Sequence, residues 1–105
     1  MSGGGGGYIP PVNKNKFDCT VGVITTMLAS INVELVAGCS VGDIFNVSIV
    51  NNAVVVENND GEILGSILHE LVTALKECIE QGYTYQAEII SLLGLTCKVR
   101  IRSVS

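Results

Sequence analysis

The stretch from Asn51 to Ile67 constrains this chain more than any other, because two turn signals bracket a short β-branched run. Asn51-Asn52 and Asn59-Asp60-Gly61 supply residues that tolerate positive φ. Between them, Ala53-Val54-Val55-Val56-Glu57 has the make-up of a strand. Turns that close together predict a meander. Gly65 permits a sharp bend or the close approach of another backbone, and Ser66 is placed to accept hydrogen bonds from the first N–H groups of a helix. The stretch thus predicts strand, turn, strand and helix entry, with Asn52, Asp60, Gly61 and Gly65 as structural turn positions.

Downstream, Ile67, Leu71, Leu75, Cys78 and Ile79 recur at helical spacing, with Lys76, Glu77 and Glu80 on the other side. Gly82 stands where a left-handed cap closes such a helix, so one main helix is predicted over about residues 67–81. In the C-terminal segment, a turn at Leu92-Leu93-Gly94 sets Glu88 opposite Lys98, Gln86 opposite Arg100 and Thr84 opposite Arg102. The inner face of that hairpin then pairs Tyr85 with Ile101, Ala87 with Val99 and Ile89 with Cys97.

Upstream, turn signals at Gly38 and Val41-Gly42-Asp43 precede an apolar run, Ile44 to Val50, short enough to be a buried strand. From Phe17 to Ile24 the residues alternate, predicting a half-buried strand with Phe17, Cys19, Val21 and Val23 on one face. Residues 27–36 fit two readings. Met27-Leu28-Ala29 suits a helical turn, whereas Ile31 to Leu35 alternates like a strand, and an extended conformation is the expectation.

With 105 residues, 48% of them hydrophobic and none of them Trp, the chain can bury an aliphatic core as one domain over residues 17–105. Cys19, Cys39, Cys78 and Cys97 are too widely spaced for a CxxC motif or a paired zinc pattern. Cys19 and Cys97 fall on inward strand positions and Cys78 on the apolar helix face, so all four are expected to be free core thiols. That reading, with no basic region or apolar core in Met1 to Gly7, points to a reducing, cytoplasmic compartment. No run approaches the ~20 apolar residues that span a bilayer, and no membrane partner is expected.

Residues 1–16 join five consecutive glycines to Tyr8-Ile9-Pro10-Pro11 and Asn13-Lys14-Asn15-Lys16, the composition of a flexible tail. Tyr8, Ile9, Pro10 and Pro11 also form a small apolar, extended hook suited to a partner's groove.

No set of residues amounts to an active site, and the expectation is a protein that is not an enzyme. His69 and Cys78 lie nine residues apart, about 900° around a helix, and so face opposite ways. A solvated helix histidine is the simpler reading. Asp60 and Glu62 flank a turn glycine without the repeated oxygen ligands of a calcium loop. The N-terminal glycines lack the strand and Lys of a phosphate loop. No metal or cofactor is expected. What remains is a basic row, Lys98, Arg100 and Arg102, at two-residue spacing along one strand face. Such a row can contact phosphates, or it can be a solvated face paired with Glu88. A formal charge of −4 argues against broad binding to nucleic-acid backbones. Tyr83 and Tyr85 would offer stacking surfaces, but the hairpin register turns them inward.

The residues Asn52-Ala53-Val54-x-Val56, then Asn59-Asp60-Gly61-Glu62-x-Leu64-Gly65-x-Ile67, followed by a helix and a strand pair, resemble a HIRAN domain over about residues 42–104. The resemblance implies an α+β, mainly β fold: a small antiparallel β-barrel with one main helix. It also implies a module that grips single-stranded DNA ends, or an accessory protein of a system acting on nucleic acid, such as DNA repair, mobile elements or phage defence. Asn52, Gly61 and Gly65 carry over as backbone positions. The family's polar segment before Asn-Ala is replaced here by the apolar Val47-Ser48-Ile49-Val50, and no nucleotide-holding residues match. The expectation is therefore a binding or adaptor module with a protein partner or self-association. The alternative is a structural protein that assembles through its tail or an exposed strand edge.

Overall fold

In the computed structural model, residues 17–104 are described, and the hook residues Tyr8 to Pro11 lie outside them. Six strands, β1 (Val23–Ala29), β2 (Ile44–Val50), β3 (Ala53–Glu57), β4 (Ile63–Ile67), β5 (Tyr85–Leu93) and β6 (Thr96–Ser103), alternate with two helices, α1 (Val33–Ala37) and α2 (Val72–Glu80). The strands close an antiparallel barrel in the order β1-β4-β3-β2-β5-β6. Because β1 and β2 are not neighbours, the chain crosses between them, and α1 lies on that crossing against β4 and the β5–β6 turn. For the same reason α2 carries the chain from β4 past β3 and β2 to β5.

The meander forms as its turn chemistry demands. Asn51 and Asn52 both take positive φ, at 50° and 69°, and join Val50 to Ala53 in a two-residue turn. In the next turn Asn58 Oδ1 accepts hydrogen bonds from the N–H groups of Asp60 and Glu62, and Gly61 takes φ 81°. Gly65 is the point of close approach: a Cβ there would meet the Ala29 carbonyl oxygen at 2.9 Å. Inward residues of all six strands, with Leu75 and Cys78 of α2, make one aliphatic core around Tyr85.

Several expected elements are corrected. The segment Phe17 to Gly22 is a turn, because Asp18 Oδ1 captures the N–H groups of Thr20 and Val21. The strand begins at Val23 with the opposite phase, Ile24 inward and Val23 exposed. Residues 27–36 are not extended throughout. Ser30 adopts a left-handed φ of 49° that ends β1, and Asn32 Oδ1 then caps α1 by accepting from the Leu35 N–H. Helix α2 starts at Val72 rather than near residue 67, because Ser66 spends its hydroxyl on the Ala29 carbonyl and Ile67 is buried in the barrel wall. His69 takes over at the helix entry, its ring Nδ1 accepting from the Leu71 N–H and its carbonyl from the Val72 N–H. It therefore precedes the helix, half-buried, rather than riding on it in solvent. Gly82, at φ 105°, follows the last turn as expected.

The hairpin register is displaced by two residues. Gly94-Leu95 is the turn, and the pairing slips between Ile89 and Ser91, so Glu88 faces Arg100 and Tyr85 faces Ser103. An even shift preserves which side chains point inward, and Tyr85, Ala87, Ile89, Cys97, Val99 and Ile101 are all buried.

The cysteines divide into two pairs of different fate. Cys19 and Cys78 form a disulfide, with Cα atoms 5.6 Å apart across 59 residues of chain, while Cys39 and Cys97 are free. The expectation of four free thiols fails because the Asp18 turn lifts Cys19 out of a strand and folds it against α2. Among the described residues, no helix is long and apolar enough to cross a membrane.

Candidate nucleic-acid interface

Barrel closure decides what surrounds the basic row. On β6, Lys98, Arg100 and Arg102 point outward between β1 and β5, because Cys97, Val99 and Ile101 take the inward positions. Across the β1 pairing they face Met27, Thr25 and Val23, and across β5 Arg100 and Arg102 face Glu88 and Gln86. Arg100 Nη1 lies 4.0 Å and Arg102 Nη2 3.8 Å from the same Glu88 Oε1, with all three side chains substantially solvated. One carboxylate thus serves two guanidiniums, at distances too long for tight charge-assisted hydrogen bonds. Lys98 is exposed, and its cross-strand partner on β5 is Ser91 instead of the Glu88 expected from sequence.

Beside the row lies a shallow depression of about 120 Å³ lined by Ile44, Gln86, Glu88, Arg100, Arg102 and Val104. Ile44 stands here because β2 pairs with β5 at Glu88, a contact that nothing in the local pattern of β2 announces. The face therefore mixes three cations with exposed aliphatic groups, Val23, Met27, Ile44 and Val104. It can hold a negatively charged chain by phosphate or carboxylate contacts. Among the described residues no aromatic side chain is fully exposed for base stacking: Phe17 and Tyr85 are buried, and Phe45 and Tyr83 are half-buried. The Tyr85 hydroxyl donates to the Cys19 carbonyl at 2.5 Å, and burial, then the neighbouring Tyr83 and Asp18, hold its pKa above the usual phenol range.

A second cleft, about 300 Å³, opens between β3, β4 and the start of α2, where Asn52, Ser66, Thr73 and Lys76 meet the apolar Val54 and Leu68. Lys76 Nζ donates to Asn52 Oδ1, so Asn52 is both a turn residue and the anchor of a cation from a distant helix. In the six-strand circuit β3 stands opposite β6, so this cleft and the basic row are separate surfaces.

Asp60, Gly61 and Gly65 sit in the turns and strand crossing already described and bring no polar side chain to either surface. Among the described residues, no three His, Cys, Asp or Glu side chains gather as metal ligands would. Burial, then Asp43, raises the pKa of the Cys39 thiol, which donates to the Leu35 carbonyl; burial, then Cys39, raises that of Cys97. Both thiols are kept protonated and weakly nucleophilic. Comparison of the chain with protein-family models, with curated proteins and with solved structures gives no match.

Proposed function

We propose that this chain is a non-catalytic binding module, a HIRAN-like accessory subunit that holds single-stranded DNA by its phosphates along the outer face of β6. One observation carries the reading: Lys98, Arg100 and Arg102 stand in one solvated row, in which Arg100 and Arg102 share a single carboxylate, Glu88, and Lys98 faces Ser91. The resemblance of residues 42–104 to the HIRAN pattern supports the same ligand class. Contacts confined to phosphates carry no base information, so binding is independent of sequence and steeply salt-dependent. The negative charge of the rest of the protein confines it to this strip.

Anisotropy titration of labelled single strands over a range of salt concentrations tests the proposal. Replacing all three cations with Ala is expected to reduce the slope of log K against log salt by about 2, at ~0.7 per phosphate contact on single strands. Glu88→Gln, which frees both guanidiniums, is expected to tighten binding. Unchanged affinity in the triple variant overturns the assignment. A nucleic-acid ligand accords with the cytoplasmic location expected from sequence, whereas the Cys19–Cys78 bond accords with an oxidising one. Trapping thiols in freshly lysed cells separates the two.

A further inference from the structure

The two ends of the barrel are unlike each other. At one, Phe17 packs on Tyr85 with ring centroids 5.9 Å apart, and the disulfide ties the entering chain to α2. At the other, α1 and the β5–β6 turn leave a groove of about 260 Å³ lined by Ile31, Val33, Val36, Cys39, Leu92 and Leu95. No charged residue lines it, and Val33 and Leu95 on its wall remain 48% and 68% exposed. An apolar concavity rimmed by exposed aliphatic side chains is the mark of a surface that another segment covers.

We propose that Tyr8 to Pro11 of one copy seat in this groove on a second copy, joining chains head to tail. The segment is apolar and uncharged, and its two prolines carry no N–H and so need no hydrogen-bond acceptor from an apolar wall. The reach of the chain selects the second copy. Tyr8 is nine residues before Phe17, a leash of about 30 Å at full stretch. Phe17 is at the Tyr85 end of β5 and the groove at the Leu92 end, about 23 Å of strand away. Seating all of Tyr8 to Pro11 in the chain's own groove leaves only the six residues from Pro11 to Phe17 as leash, about 20 Å at full stretch and short of that span. A neighbour's groove imposes no such limit. The contact uses different surfaces on the two partners, so it propagates into a ring or a filament. It does not depend on what the β6 face binds.

The groove carries its own reporter. Cys39 is the half-exposed free thiol on its wall, Cys97 is buried, and Cys19 and Cys78 are bonded to each other. The test is sedimentation of the full chain across a concentration series, with the alkylation rate of Cys39 by iodoacetamide read in parallel. The expected result is self-association, with Cys39 alkylation slowing as oligomer forms. Leu95→Asp in the groove, or Tyr8→Ser with Ile9→Ser in the tail, should each leave a monomer whose Cys39 labels faster than in the oligomer, at a rate independent of protein concentration. An equimolar mixture of the two variants should give a dimer, because one intact tail then meets one intact groove. A full chain that stays monomeric overturns the proposal, and so does Cys39 protection in a monomer, which would mean docking within one chain. Assembly unaffected by either variant, or a mixture that remains monomeric, overturns it equally.

Discussion

Gly65 and Tyr85 show how single residues hold this barrel. At Gly65 the absent Cβ lets β4 cross against β1, with Ala29 O at 2.9 Å, Leu28 Cβ at 3.1 Å and Ile31 Cγ2 at 3.3 Å from where that atom would stand. The nearest obstacle is backbone and cannot swing away. Gly65→Ala is therefore expected to cost about 1–3 kcal/mol, read as a lower urea midpoint at unchanged slope. Tyr85 is buried as the neutral phenol. Its raised pKa means that the stability it contributes is complete below the unfolded value of about 10 and is lost as pH rises through the folded one. Melting temperature should thus hold steady to about pH 9 and fall above about 10, and Tyr85→Phe should flatten that alkaline limb. Residue-scale signals of this kind were partly legible. Gly65 and the Asn51-Asn52 turn announce themselves through backbone chemistry, whereas the Tyr85 hydroxyl finds its acceptor on Cys19, remote in sequence.

Among the elements, α2 depends most on a distant part of the chain. Its N-terminus has no side-chain cap from the residue before it, and His69 supplies acceptors instead. Cys78 on its buried face is bonded to Cys19. Closing a loop of that length should stabilise the fold by about 4 kcal/mol on the chain-entropy account. Urea unfolding with and without reductant, or of the Cys19→Ser, Cys78→Ser double variant, should show a loss of that order. A protein equally stable when reduced would contradict the bond. The hairpin shows the limit of reading elements from sequence. Alternation correctly assigned the inward faces of β5 and β6, but the irregularity at Ile90 and the Gly94-Leu95 turn moved the register by two. That displacement changed the partner of Glu88 from Lys98 to Arg100 and turned an expected one-to-one pairing into a carboxylate shared by two arginines.

At the scale of the whole molecule, closure of the barrel has two consequences for function. Among the described residues it leaves each strand paired on both sides, β1 with β6 along most of its length and with β4 at Leu28 and Ala29, which shortens the strand edge on which one route to assembly was expected. It also sets the basic row beside Ile44 and Met27, and the apolar groove at the end away from Phe17. The sequence by itself determined the meander, the main helix, the inward faces of β5 and β6 and the alternation that lines up Lys98, Arg100 and Arg102. Those depend on φ preferences, period and spacing within a few residues. Only the tertiary structure decided which strands meet, that Cys19 reaches Cys78, that Lys76 reaches Asn52, and that α1 and the β5–β6 turn leave a groove. Each of these joins residues far apart in the chain, and the energy that selects such contacts comes from packing the core as a whole, which no local pattern encodes.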